Sequence, residues 1–62
     1  MANGLLLDRS YVIVIHPGDH NEEVVEEGLT FRKAHHVLAK YQQGMAADIM
    51  KRLPDGSLTT VY

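Results

Sequence analysis

Residues Ser10–His16 read SYVIVIH, and the reading of this stretch decides the fold. Side chains alternate along an extended chain, so Tyr11, Ile13 and Ile15 fall on one side and Val12 and Val14 on the other. Both sides are apolar, and every residue from Tyr11 to Ile15 is β-branched or aromatic, which suits a pleated, packed surface. A strand that is apolar on both parities belongs inside a sheet, covered on both faces. Pro17-Gly18 ends it in a turn.

Beyond that turn, Glu22–Thr30 (EEVVEEGLT) is open between two readings. Val24-Val25 sits either in a short edge strand or in a loop, and its acidic flanks suit an exposed edge. The segment Leu29–Gly44 (LTFRKAHHVLAKYQQG) is clearer. Thr30 is an N-cap, its hydroxyl placed to accept an orphan backbone N–H of the first turn. At 100° per residue Phe31, Ala34, Val37, Leu38 and Tyr41 share one broad apolar face. Gly44 is placed to end the helix in a left-handed conformation. The spacing predicts a helix over about 31–43.

The remainder, about 46–62, reads as a C-terminal β-hairpin. Pro54-Asp55-Gly56 supplies the φ values of a type I turn followed by a glycine bulge. With Leu53 and Ser57 bracketing the turn, Arg52 faces Leu58, Met50 faces Thr60 and Ile49 faces Val61. The first face of the hairpin then carries Ala47, Ile49, Leu53 and Val61. The second carries Met50, Leu58 and Tyr62, and a single helix cannot cover both.

These elements predict an α+β, two-layer domain spanning residues 1–62, with one helix packed on one face of a mixed or antiparallel sheet of three to four strands. The helical connection favours a parallel partner for the first strand, hence a mixed sheet.

Sixty-two residues bury only about 60% of their unfolded surface, so stability is marginal. There are no cysteines to staple the chain or bind metal as thiolates, and small unstapled chains often lean on a partner subunit. The apolar share of 45% fits a folded domain. No apolar run is long enough to span a bilayer, and no basic segment precedes Leu5–Leu7 as a signal peptide requires. A soluble cytoplasmic protein is expected, in keeping with a small bacterial or phage accessory protein. The net charge of −2 hides an asymmetry: residues 1–30 sum to −5 and residues 31–62 to +3.

The chemistry-bearing residues argue for binding and against catalysis. His16, Asp19 and His20 share one turn, but their spacing matches no metal signature and reads as turn chemistry. His35 and His36 point about 100° apart and cannot grip one ion from the same face. His35, at the margin of the apolar stripe, reads as a boundary histidine with a satisfied ring nitrogen. No phosphate loop, nucleophile elbow or metalloprotease pattern occurs. The sequence therefore implies no enzyme, no cofactor and no metal site.

Arg32, Lys33, His36 and Lys40 lie opposite the apolar stripe and form a basic helix face. Arg32 and Lys33 occupy the first turn, where the helix dipole disfavours cations by about 0.3–1 kcal/mol. Glu26 and Glu27, just upstream, are placed to neutralise them. The leading expectation is a non-catalytic protein-interaction module, accessory or regulatory in role. It forms a homodimer through the sheet face that carries Met50, Leu58 and Tyr62, or through the C-terminal edge of the sheet, and binds a protein partner on the basic face. The N-terminal Leu5–Leu7 run is the competing cover for that second sheet face. A nucleic-acid-binding regulator using the basic face is the alternative, with less support from so few cations.

Overall fold

The computed structural model of the protein describes residues 8–61. In chain order it contains β1 (Tyr11–Ile15), β2 (Glu23–Leu29), α1 (Phe31–Gln42), β3 (Ala47–Arg52) and β4 (Leu58–Thr60). The strands form one sheet in the order β2-β1-β3-β4 with every neighbouring pair antiparallel, and α1 packs on one face. This is the α+β two-layer domain that the pattern predicts.

The expected parallel partner for β1 is corrected. β1 pairs with β3 antiparallel, Ile13 opposite Ile49 and Val12 opposite Met50. The reason lies in Glu23–Leu29, which is a strand. It reverses the chain once more before the helix, so the helical connection joins β2 to β3. Those two run parallel, since each is antiparallel to β1, but β1 lies between them and no parallel ladder forms.

β2 occupies an edge, as its glutamates suggest, and it pairs irregularly. Its register with β1 shifts between Tyr11 and Ile13 and again between Ile13 and Val14. Gly28, at φ 67°, lies in the first of these irregular stretches, a conformation glycine adopts without steric penalty. The bulges let Val25 pack on the core while Glu26, one residue on, stands opposite Ile13.

The helix starts where the cap was read. Thr30 is extended (φ −74°, ψ 162°) and its hydroxyl accepts from the Lys33 N–H at 3.2 Å. Its C-terminus differs from expectation: Gly44 has no positive φ, and Gln43 closes the helix in a right-handed conformation. The N–H groups of Gly44 and Met45 both donate to the Tyr41 carbonyl, so that C-terminal carbonyl is satisfied without a left-handed residue.

The core between helix and sheet is built from Ile13, Ile49, Ala34 and Leu38, flanked by Tyr11, Val25, Leu29, Val37, Tyr41, Ala47 and Val61. Two predicted members sit at its margin: Phe31 is 45% exposed and Leu53 is 37% exposed. On the opposite face Val12 and Val14 are also buried, at 1% and 0%. β1 is therefore closed on both sides, as its two apolar parities require.

The hairpin register holds along the β3–β4 ladder, which ends at Thr60 and so does not include the expected pair Ile49–Val61. Arg52 faces Leu58 and Met50 faces Thr60. The Leu53 N–H donates to the Ser57 carbonyl and the Gly56 N–H to the Leu53 carbonyl, each at 2.8 Å, with Gly56 at φ 91°. A Cβ at Gly56 would meet no atom within 4 Å, so strain alone opposes substitution there. Gly56→Val should lower stability by more than about 1 kcal/mol, because a β-branched residue fits positive φ badly. An unchanged urea midpoint would rule that strain out.

Candidate functional site

The surface that gathers the polar and aromatic side chains is the outer face of α1 and the strand ends beneath its first turn. Arg32, Lys33, His36 and Lys40 are all exposed, because the apolar stripe that holds Ala34 and Leu38 against the sheet turns the opposite side to solvent. The first turn carries no acidic residue. The glutamates expected to neutralise it are engaged elsewhere, which corrects that reading. Glu26 accepts a hydrogen bond from the Tyr41 hydroxyl at 3.0 Å, and Glu27 pairs with Arg52 at 2.9 Å. Among the described residues no carboxylate forms an ion pair with Arg32, Lys33 or Lys40.

Beside this basic face runs an aromatic row that the sequence did not reveal. The His35 ring stands edge-on to Phe31 at 4.5 Å, and Phe31 lies tilted against Tyr11 at 5.2 Å. Lys51 Nζ sits 5.6 Å from the centre of the Tyr11 ring. Such ring geometries exploit the positive edge and negative face of aromatic systems. Tyr11 and Lys51 are neighbours by strand register, while Phe31 and His35 are one helical turn apart. His35 is thus exposed and stacked, where the sequence suggested a boundary position with a bonded ring nitrogen. Phe31, Arg32, His35 and His36 line a shallow depression on the helix.

Asp8 anchors the row at its far end. Its carboxylate accepts from the Ser10 hydroxyl and N–H and pairs with Lys51 at 2.9 Å. The Ser10 side chain first, and Lys51 after it, hold the Asp8 carboxyl down to about 2, and Asp8 in turn raises Lys51. A folded-state value below the unfolded one means that the contribution is present at neutral pH. It is lost as pH falls from the ordinary carboxylate range towards 2. An NMR titration of the Asp8 carboxyl carbon should have its midpoint near 2; a midpoint near 4, the ordinary value, would show that the Ser10–Lys51 clasp is absent in solution. Tyr41 is likewise raised, chiefly by its hydrogen bond to Glu26.

The other predicted residues lie apart from this surface. Met50 and Leu58 are half-buried on the sheet face away from the helix, and Tyr62 and Leu5–Leu7 fall outside the described residues. In the 16–20 turn, His20 Nδ1 approaches Asp19 at 2.8 Å in open solvent. Among the described residues no group of His, Asp and Glu is gathered to hold a metal ion. No described helix is long and apolar enough to cross a membrane. Comparisons with protein-family models, curated proteins and solved structures found no match.

Proposed function

We propose that the chain is a small non-catalytic interaction module of the cytoplasm, accessory or regulatory in role. It works as a homo-oligomer, and its helix surface receives an acidic protein partner. The observation that carries this reading is the set of exposed cations on α1 left without a carboxylate among the described residues, although glutamates lie within a few residues of them. Cations in the first turn act against the helix dipole, and a local rule broken without compensation marks a surface kept for another purpose. Phe31 supports the same reading. An exposed ring rimmed by charge is the kind of anchor that dominates interfaces. The homo-oligomer is supported by the small core and by the apolar Met50 and Leu58 on the opposite face of the sheet.

Phe31 next to Arg32 also resembles a stacking platform for single-stranded nucleic acid, which keeps the second reading in play. Affinity capture from the native cell with wild-type chain and with an Arg32→Glu/Lys40→Glu variant separates the two. The double reversal should reduce recovery of acidic proteins at least tenfold and leave the fold intact, since exposed substitutions usually stay within about 0.5 kcal/mol. Unchanged recovery would reduce the face to solvated surface. Recovery that disappears on nuclease treatment and falls steeply with salt would assign the face to nucleic acid.

A further inference from the structure

The two edges of the sheet are guarded differently: β2 by charge and irregular pairing, the three-residue β4 by its shortness alone. β2 carries Glu23, Glu26 and Glu27, with Glu22 just before it, and breaks its ladder at the register shifts around Ile13. Charges and bulges are among the devices by which proteins keep edges from pairing, as is a short edge strand. β4 has neither. It reads Leu58-Thr59-Thr60, uncharged, and pairs with β3 without a shift.

Backbone direction shows which groups are available there. The Arg52 N–H donates to the Ser10 carbonyl at 2.8 Å, towards β1. Backbone groups alternate sides along a strand, so Lys51 turns towards β4 and bonds with its partner Thr59. Leu58 and Thr60 then direct their N–H and C=O groups away from the sheet. They flank Thr59 symmetrically, and among the described residues no backbone group bonds to them from that side.

We infer that β4 pairs antiparallel with β4 of a second copy about a twofold axis at Thr59. Leu58 of each chain stands opposite Thr60 of the other and exchanges both backbone hydrogen bonds with it. This rests on the homo-oligomer reading and specifies its surface. A second copy is the occupant because the edge complements itself. The same short uncharged strand offers matched donors and acceptors on both sides of one residue, with no like charges brought together, as a twofold contact requires. An acidic partner finds no cation in β4. The pairing doubles the four-stranded sheet and extends the apolar side of Met50 and Leu58 across the axis. The axis of such a pair stands perpendicular to the sheet, so both helices lie on one side. Two basic surfaces then face the same way, and a partner with repeated acidic segments would gain avidity without any new contact.

Sedimentation velocity and backbone amide exchange on the full chain test the inference. The wild type should sediment as a dimer. Leu58 and Thr60 amides should exchange at least tenfold more slowly at high protein concentration than at low, while Thr59, bonded within the chain, does not change. Thr60→Pro removes only an outward N–H and is tolerable at an edge; it should give a folded monomer. Thr60→Lys, a common edge guard, should do the same if proline disturbs the hairpin. Leu58→Asp splits either kind of dimer and supplies the monomer reference. A dimer that survives Thr60→Pro and Thr60→Lys, keeps those amides fast and yields to Met50→Asp would overturn the β4 pairing and leave a face-to-face homo-oligomer. A wild type that stays monomeric at high concentration overturns both.

Discussion

Ile49→Ala is expected to destabilise the protein by about 2–5 kcal/mol, the range found for large apolar side chains cut back in cores. Ile49 is fully buried and faces Ile13 across the β1–β3 ladder, in one cluster with Ala34 and Leu38. The residues around the resulting cavity belong to both layers, so neither the helix nor the sheet can collapse into it without disturbing the other. At about 0.05–0.15 kcal/mol per residue, a chain of this length has a total stability of roughly 3–9 kcal/mol. The substitution removes a large share of that, and the variant should be partly or wholly unfolded at 37 °C. Urea denaturation measures the loss, with Lys33→Ala on the exposed helix face as the control expected within about 0.5 kcal/mol. A loss below about 1 kcal/mol for Ile49→Ala would mean that the two layers do not meet at this residue.

Val14→Asp should be comparably severe, for a different reason and with a characteristic pH dependence. Val14 is fully buried on the side of β1 that faces away from α1. Its ladder partners are Val24 and Asp48. A carboxylate introduced there loses its hydration and meets another acidic residue, and both effects raise its pKa in the folded state above the unfolded value near 4. The sign follows from linkage. The folded chain then holds its proton to higher pH than the unfolded chain does, so stability falls as pH rises through and above about 4. The variant should be visibly more folded at pH 4 than at pH 7, by circular dichroism, with about 3 kcal/mol or more lost at neutral pH if the shift exceeds two units. Wild-type-like stability at pH 7 would show that the second face opens readily to water around Val14, and it would favour a sheet face available to a partner.

The elements were legible where local chemistry decides them. Thr30 caps the helix because its short hydroxyl reaches the Lys33 N–H. Leu53 to Ser57 closes as predicted because proline, aspartate and glycine leave the backbone few other turns. The register of the hairpin followed from that turn alone. The apolar parities of Tyr11–Ile15 placed β1 inside the sheet, because no other position hides both sides of a strand.

What the sequence by itself determined is therefore the inventory of elements, the ends set by caps and turns, and which sides must be buried. Tertiary structure decided how they were assembled. Val24-Val25 has too short an apolar run to declare a strand, and only its ladder with β1 makes it one; with it the partner of β1 changes from parallel to antiparallel. Gly44 is free to take positive φ, but the Gly44 and Met45 N–H groups already satisfy the Tyr41 carbonyl, so nothing requires it. The same holds for the surface. Arg32, Lys33, His36 and Lys40 were readable as one face from helical period alone. The row of His35, Phe31, Tyr11 and Lys51 was not, because it joins one helix to two strands. Nor was the release of the first-turn cations from Glu26 and Glu27, which depends on Tyr41 and Arg52 claiming those carboxylates across the fold. Period and propensity act over a few residues, whereas a long-range contact exists only once packing has brought its two ends together.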